Sequence, residues 1–464
     1  MADELKMNMD PSIFRAYDIR GIVGKSLTEE SVFLIGKAIG SLARDKNEHQ
    51  IAIARDGRYS GPLLSKALCD GILSVGCDVV DIGMVPTPLL YYATHQLAER
   101  SGVMLTGSHN PADYNGLKIV IAGVTLTADE ITGLYTRIIE QRFYDGLGIR
   151  HELDIVDRYI LQVVQDVKLV RPLKIVVDAG NGVTGMIAPR LFRALGCEVL
   201  ELFCEVDGHF PNHHPDPSQP ENLHDLIRAV QSAQADIGLA FDGDGDRLGV
   251  VTNKGAIICA DRLLMLFATA VLAKHAKAKI IFDVKCTNHL APLITALGGE
   301  PIMWKTGHSF IKAKLHASQA QLAGEMSGHF FFNDRWYGFD DALYAGARLL
   351  EVLSAQQEES EAVFAAIPNS VNTPELKLSV TEEEKFSLMQ LLIDQATFSE
   401  AHELMTIDGL RVNFADGWGL IRPSNTTPYL ILRFEAVNEV FLEKIQTMFR
   451  EWLLSVRADL ALPF

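Results

Sequence analysis

No apolar run in this 464-residue sequence is long enough to cross a membrane. The longest, Leu263 to Ala273, is interrupted by Thr269 and stops far short of the ~20 residues a spanning helix needs. The N-terminus, Met1-Ala-Asp-Glu-Leu-Lys, lacks the apolar segment of a secretory signal. Cysteine is scarce: six residues (69, 77, 197, 204, 259, 286), with no C-x-x-C and no regular spacing. They read as reduced, mostly buried side chains of a cytoplasmic protein. Positive charge is also short. Lys and Arg number 42 against 59 Asp and Glu, a net −17. That balance excludes nucleic-acid binding and docking on anionic membranes, both of which need broad basic surfaces. Low-complexity segments are absent.

What is present is globular. Hydrophobic residues make up 48% and charged residues 22%, enough apolar material for several cores. The length predicts three or four domains of ~100–200 residues each. One pattern occurs three times. Ile51-Ala-Ile-Ala-Arg-Asp-Gly, Lys174-Ile-Val-Val-Asp-Ala-Gly and Lys279-Ile-Ile-Phe-Asp-Val-Lys each read as a buried strand ending in an acidic loop. A helical stretch, a capping glycine and a second strand follow each. A third strand then ends in an unusual loop: Thr106-Gly-Ser-His-Asn-Pro, Asp242-Gly-Asp-Gly-Asp-Arg or Gly324-Glu-Met-Ser-Gly-His. Alternating strands and helices predict mostly parallel sheets, whose ligands bind beyond the carboxyl ends of the strands. The three loops should therefore sit at equivalent sheet edges and could face one cleft. From about Thr373 the pattern changes to strands at Glu375–Val380, Leu410–Phe414, Gly419–Arg422 and Tyr429–Glu435, alternating with two helical segments. This predicts a smaller α+β domain with an antiparallel sheet, reached through a linker at Pro368 to Pro374.

Three alternating carboxylates, Asp242, Asp244 and Asp246, repel one another unless a cation neutralises them. Their oxygens suit Mg²⁺ or Ca²⁺. An EF-hand is excluded, because Arg247 stands where that loop needs glycine and Asn253 where it needs the bidentate Glu. Ser108 lies in no G-x-S-x-G elbow, since Thr106 and Asn110 occupy the glycine positions. The turn at Asn110-Pro111 should expose Ser108 and His109 at its tip. By itself that segment is an ordinary turn; the companion loops give it weight. Glu325 and Ser327 can read hydroxyls, and His329 can titrate. Lys285, Lys305 and His308 end the other strands of the third repeat. Arg422, Ser424, Asn425, Thr426 and Thr427 share one loop and form a phosphate cradle. His209, His213 and His214 lie in a proline-rich loop and are assigned to structure rather than to zinc.

The ordered set TGSHNP, DGDGDR, GEMSGH and RPSNTTP, with Phe14-Arg-Ala-Tyr-Asp-Ile-Arg-Gly21, resembles the α-D-phosphohexomutase superfamily along nearly the whole chain, most closely its bacterial phosphomannomutase/phosphoglucomutase branch. The resemblance implies three related α/β domains (1–153, 154–256, 257–368) with mixed, mostly parallel sheets. A smaller α+β domain (369–464) completes a central cleft and should hinge about the linker. It implies a reversible phosphoryl shift between O1 and O6 of glucose and mannose phosphates through phospho-Ser108 and a hexose 1,6-bisphosphate. Asp242, Asp244 and Asp246 would bind Mg²⁺ with an oxygen of phospho-Ser108. Glu325 and Ser327 would read sugar hydroxyls. Arg422, Ser424, Asn425 and Thr426 would clamp phosphate. Tyr17, Arg20, Lys118, Arg247, Lys285, His308 and His329 would line the cleft. Lys118 and His329 are the candidate base and acid, with His109 supporting the serine loop; a base role for Lys118 requires a lowered pKa. A phosphoglucosamine mutase and a metal-dependent sugar phosphatase using the same serine are the alternatives. Small sugar phosphates are the expected partners, and a monomer or weak homo-oligomer the expected state.

Overall fold

The three β-branched runs become the strands Gln50–Arg55, Lys174–Asp178 and Lys279–Asp283 of a computed structural model that describes residues 9–425 and 427–464. Their interior residues are buried, as expected of strands flanked in a sheet and covered on both faces. Each pairs in parallel on one side with the second strand of its repeat: Asp78–Met84, Glu198–Leu202 or Glu300–Trp304. On its other side it pairs in parallel with the third: Gly102–Leu105, Ile237–Phe241 or Leu322–Gly324. A fourth strand then runs antiparallel to the third: Tyr114–Ile121, Leu248–Thr252 or Phe330–Phe332. The strand order is thus the same three times over. Each of the three singled-out loops is the turn between the last parallel strand and the antiparallel one.

The first sheet is widened by Ile19–Ile22, antiparallel to Tyr114–Ile121, and by Arg150–Glu152. The long apolar run forms the helix Ala260–Leu272, most of whose residues are buried in the interior. No described helix is long and apolar enough to cross a membrane. The N-terminal residues 1–8, on which the absence of a signal was argued, lie outside the described residues.

The C-terminal sheet is antiparallel, in the order Val371–Asn372, Tyr429–Ala436, Gly417–Pro423, Leu410–Phe414, Glu403–Met405. Leu376–Ser379 also pairs with Tyr429–Ala436. Two features differ from expectation. Val371–Asn372 lies inside the expected linker and pairs with Ala436 and Glu435, so the fourth sheet begins before the connection ends. Glu403–Met405 is too short to show alternation and is absent from the sequence reading. The helices Lys385–Asp394 and Glu439–Val456 pack on the sheet.

One apolar core runs without interruption from Leu89 and Tyr92 through Ile175 and Phe241 to Phe282 and Phe330, joining the first three sheets. A second fills the other layer of the first domain. The fourth domain has its own core around Leu410, Phe434 and Phe449. The helix Ala342–Ser354, which follows the third sheet in sequence, contributes to the shared core and packs back on Leu248–Thr252. All six cysteines are free.

Candidate active site

Ser108 follows the strand Gly102–Leu105 at φ +48°, the left-handed region that L-residues rarely occupy. The expected exposure of this serine is corrected: it is 3% exposed, because the aspartate loop of the second domain packs on it. Gly243 makes that approach possible, since a Cβ there would lie 2.5 Å from the Ser108 carbonyl oxygen. The Ser108 hydroxyl donates to Asp242 Oδ2 at 2.9 Å and lies 3.0 Å from His109 Nδ1. His109 is half-buried in accessibility. Burial, with Arg247 and Arg20 nearby, pushes its pKa well down, so the imidazole is neutral.

Asp242, Asp244 and Asp246 are fully buried, and their oxygens lie within 4.8 Å of one another. Asp242 Oδ1 accepts the backbone N–H groups of Gly245, Asp246 and Arg247 at 3.0, 3.1 and 3.1 Å. Burial and the other two carboxylates push the Asp242 pKa well up. Asp244 Oδ1 is buried with no hydrogen-bond partner among the described residues. A converging set of hard oxygens, one of them unpartnered, fits a divalent cation of the Mg²⁺ type.

Lys118, on the strand Tyr114–Ile121, reaches across the domain junction. Its Nζ donates to Asp244 Oδ2 at 2.7 Å and also to Asp246 Oδ2. Burial alone would lower its pKa, but the two carboxylates outweigh burial and raise it. The lowered pKa that a base requires is therefore not found, and Lys118 is a buried cation. His329 is a cation for a similar reason. Burial disfavours its charge, but Asp246 Oδ1 at 3.3 Å and Glu325 Oε2 at 3.2 Å raise its pKa to about 9. Its Nδ1 is also 2.8 Å from Ser327 Oγ. Arg247 meets His329 through a backbone bridge and a 3.4 Å side-chain contact, which joins the second loop to the third.

The remaining expected residues continue this surface. Arg20 Nη1 donates to Asn110 Oδ1 at 2.7 Å, and its Nη2 to Asp18 at 2.5 Å. Tyr17 lies edge-on to His308, 5.6 Å between centroids, and shares a hydrogen bond with Asn425 of the fourth domain. The His308 and His329 rings are 5.9 Å apart. Glu325 Oε1 accepts the Gly307 N–H at 2.7 Å. Arg422 donates through Nε to Asp408 at 2.9 Å, while its buried Nη2 has no partner among the described residues. Ser424 Oγ is 2.7 Å from Thr427 Oγ1. Thr426 lies outside the described residues. Lys285 Nζ donates to Glu375 Oε1 at 2.5 Å, across the junction of the third and fourth domains.

His209, His213 and His214 belong to neither of the acidic clusters that could hold a metal among the described residues. His213 Nε2 is 3.2 Å from Asp178, and the His209 ring lies tilted against Tyr59, 4.4 Å between centroids. Asp340, Lys312, Glu375 and Arg58 belong to the site's surroundings but were missed. Lys312 Nζ donates to Asp340 Oδ1 at 2.9 Å, and Asp340 Oδ2 is 3.6 Å from His308 Nδ1. Of these four, Arg58 alone carried a sequence signal. Arg55-Asp-Gly-Arg58 ends a central strand, as the other singled-out loops end theirs.

The family models for phosphoglucomutase/phosphomannomutase match in series: alpha/beta/alpha domains I, II and III at residues 11–145, 157–255 and 260–370, and the C-terminal domain at 375–451. The chain belongs to the phosphoglucomutase/phosphomannomutase family. Curated relatives in this family include a phosphomannomutase/phosphoglucomutase of Pseudomonas putida, 56% identical over 100% of both chains. A phosphoglucomutase of Neisseria gonorrhoeae is 54% identical over 94% of this chain and 96% of its own. A crystal structure of a phosphoglucomutase/phosphomannomutase family protein from Burkholderia thailandensis superposes with a TM-score of 0.94 at 52% identity, covering 98% of this chain and 100% of that one. Family membership agrees with three α/β domains of one topology and a smaller fourth domain.

Proposed function

We propose that this phosphohexomutase family member interconverts the 1- and 6-phosphates of glucose and mannose. The observation that carries the reading is Ser108. Its hydroxyl is buried on Asp242 at 2.9 Å, where loops of the first, second and third domains meet. In this reading, residues 1–153 present the serine, 154–256 the acids, 257–368 the sugar readers and 369–464 the phosphate clamp.

Phospho-Ser108 gives its phosphoryl group to the free hydroxyl of a hexose monophosphate, forming a hexose 1,6-bisphosphate. The P–O bond to Ser108 breaks as the new one forms. The bisphosphate turns in the cleft and returns its other phosphoryl group to Ser108. Asp242, Asp244 and Asp246 would hold Mg²⁺, which when bound neutralises charge on the transferring oxygens. Lys118 and Arg247 add fixed positive charge beside that group. In the first step the attacking hydroxyl loses its proton and the Ser108 oxygen gains one as its P–O bond breaks; in the return step His329, protonated between Asp246 and Glu325, would supply a proton to the departing sugar oxygen and recover it from the Ser108 hydroxyl. Glu325 and Ser327 read sugar hydroxyls. Arg422, Ser424, Asn425 and Thr426 hold the non-reacting phosphate, with Tyr17, Lys285 and His308 completing the wall. The fourth domain hinges about residues 368–370, ahead of the strand Val371–Asn372 that belongs to its sheet, to admit and release sugar. We place the enzyme in the cytoplasm, as a monomer or weak homo-oligomer.

A net charge of −17 is compatible with an anionic substrate, because the local field is set by Arg20, Lys118, Arg247, Lys285 and Arg422. Ser108→Ala is expected to abolish phosphoserine and nearly all turnover in a coupled assay. The same assay run with glucose 1-phosphate, mannose 1-phosphate and glucosamine 1-phosphate should favour the first two. Preference for glucosamine 1-phosphate would replace this reading with a phosphoglucosamine mutase. Release of inorganic phosphate in excess of isomerised sugar would replace it with a phosphatase.

A further inference from the structure

We propose that Arg58 is a positioning residue for phosphoryl transfer, holding the Ser108 loop in one geometry through four backbone carbonyls. The inference rests on the reading of Ser108 as the phosphoryl carrier. Arg58 is 1% exposed. Its Nη1 donates to the carbonyls of Pro111 at 2.5 Å and Tyr114 at 2.9 Å. Its Nη2 donates to those of Ser108 at 2.8 Å and Asn110 at 2.6 Å. The remaining donor, Nε, goes to Asp56 Oδ2 at 3.2 Å. All five donors of the guanidinium are thus engaged, three of them on the loop and one on Tyr114, the first residue of the strand that follows it.

The other polarity of the loop is held as well. Asp56 Oδ2 accepts from Thr106 Oγ1 at 2.8 Å and from the Gly107 N–H at 3.1 Å. Thr106 Oγ1 in turn accepts the Ser108 N–H at 2.8 Å. Carbonyls and amides are fixed together, and the Ser108 side chain is left free for Asp242. Such bracing has a physical purpose. At φ +48° Ser108 sits in a disfavoured region, and an unbraced loop would relax out of it.

The packing is specific to this pair of segments. A Cβ on Gly107 would lie 2.4 Å from Arg58 Cζ, so glycine precedes the serine because the guanidinium lies against it. The second domain closes the other side. Phe210 places its ring 5.1 Å from the guanidinium, and a Cβ on Gly208 would come within 2.9 Å of Arg58 Cα. The brace is therefore shielded from water where the first two domains meet. Lysine cannot replace it, because a single ammonium cannot span four carbonyls in the plane of a fork.

The test is Arg58→Lys in the full chain, read by steady-state kinetics and by the rate at which hexose 1,6-bisphosphate phosphorylates Ser108. A displacement of the serine by an ångström is expected to lower kcat and the phosphorylation rate by about 10²-fold. KM should stay within about threefold of wild type, because the sugar-binding loops are untouched. A purely structural role would lower the melting temperature while leaving kcat per folded molecule unchanged, and that result overturns the proposal. Should Arg58→Lys fail to melt cooperatively, Thr106→Val carries the same test. It removes one link and should slow Ser108 phosphorylation about tenfold; an unchanged rate overturns the proposal. A wild-type protein with no mutase turnover would overturn the functional reading and the proposal with it. A fully active wild type with an equally active Arg58→Lys variant would overturn the brace alone.

Discussion

The first three domains share one continuous apolar core, whereas the fourth meets them mainly through hydrogen bonds. Across the first three, Tyr92 stacks on Trp336 at 5.9 Å, Trp336 on Tyr344 at 4.4 Å, and Tyr159 donates to Asp341 at 2.9 Å. These contacts belong to one continuous apolar core. At the junction with the fourth domain the buried apolar cluster is small: Val284, Trp418 and Leu420, with the partly buried Met303 against them. Polar groups take over there. Arg411 donates to the carbonyls of Val284 and Cys286 and to Asn288, Arg433 donates to the Lys285 carbonyl, and Glu435 accepts from Thr287. A shared core cannot slide without opening cavities, so the first three domains should behave as one body. Hydrogen bonds to loop carbonyls can be exchanged for water at small net cost, which suits the hinge motion proposed for the fourth domain.

The contrast can be broken from either side. The largest effect is expected from Trp336→Ala, which empties the centre of the shared aromatic cluster. It should cost about 3–5 kcal/mol and lower the melting of the first three domains together, as one transition in calorimetry. Separate melting of the third domain would contradict the shared core. Next is Arg411→Met, which strips donors from three acceptors of the 284–288 loop. A loss of about 1–3 kcal/mol is expected, confined to the fourth domain. Proteolysis near residues 368–374 should accelerate while Ser108 phosphorylation persists. Loss of both together would mean that the fourth domain is part of the same cooperative body.

The smallest effect sharpens the contrast by pH. His95 packs its ring on Tyr337 at 4.7 Å, and Arg100 lies 3.2 Å from its Nδ1. Burial, with Arg100 nearby, lowers its pKa to about 4. The unfolded chain takes up this proton near pH 6.5 and the folded chain only near 4, so stability falls as pH drops through that window. For a partly accessible ring the loss is on the order of 1 kcal/mol. His95→Phe should remove this acid sensitivity from the first three domains and leave the fourth unaffected. An unchanged pH profile of melting would contradict the assignment.

The repeats were legible in the sequence because a strand covered on both faces is a short β-branched run, and each of three such runs began an identical order of elements. Ser108 and the three aspartates were legible because each functional loop is contiguous and follows such a strand. The burial of Ser108 was not, since the segment that covers it, around Gly243, lies in another domain. The charge on Lys118 was hidden for the same reason: it is set by Asp244 and Asp246, more than a hundred residues away. Asp340 and Glu375 stand in unremarkable stretches and acquire meaning only beside His308 and Lys285. The short strand Val371–Asn372 carries no periodicity at all and exists because Tyr429–Ala436 offers it an edge.

Ser108, the proposed phosphoryl carrier, is tested most directly by a labelling experiment. The protein is incubated with Mg²⁺ and hexose 1,6-bisphosphate carrying radioactive phosphate, digested, and mapped by mass spectrometry; the labelled protein is then chased with unlabelled glucose 1-phosphate. The account predicts label on Ser108 alone, chased into hexose phosphates without release of inorganic phosphate. Label on another residue, or full turnover with no labelled protein at any time, would contradict it.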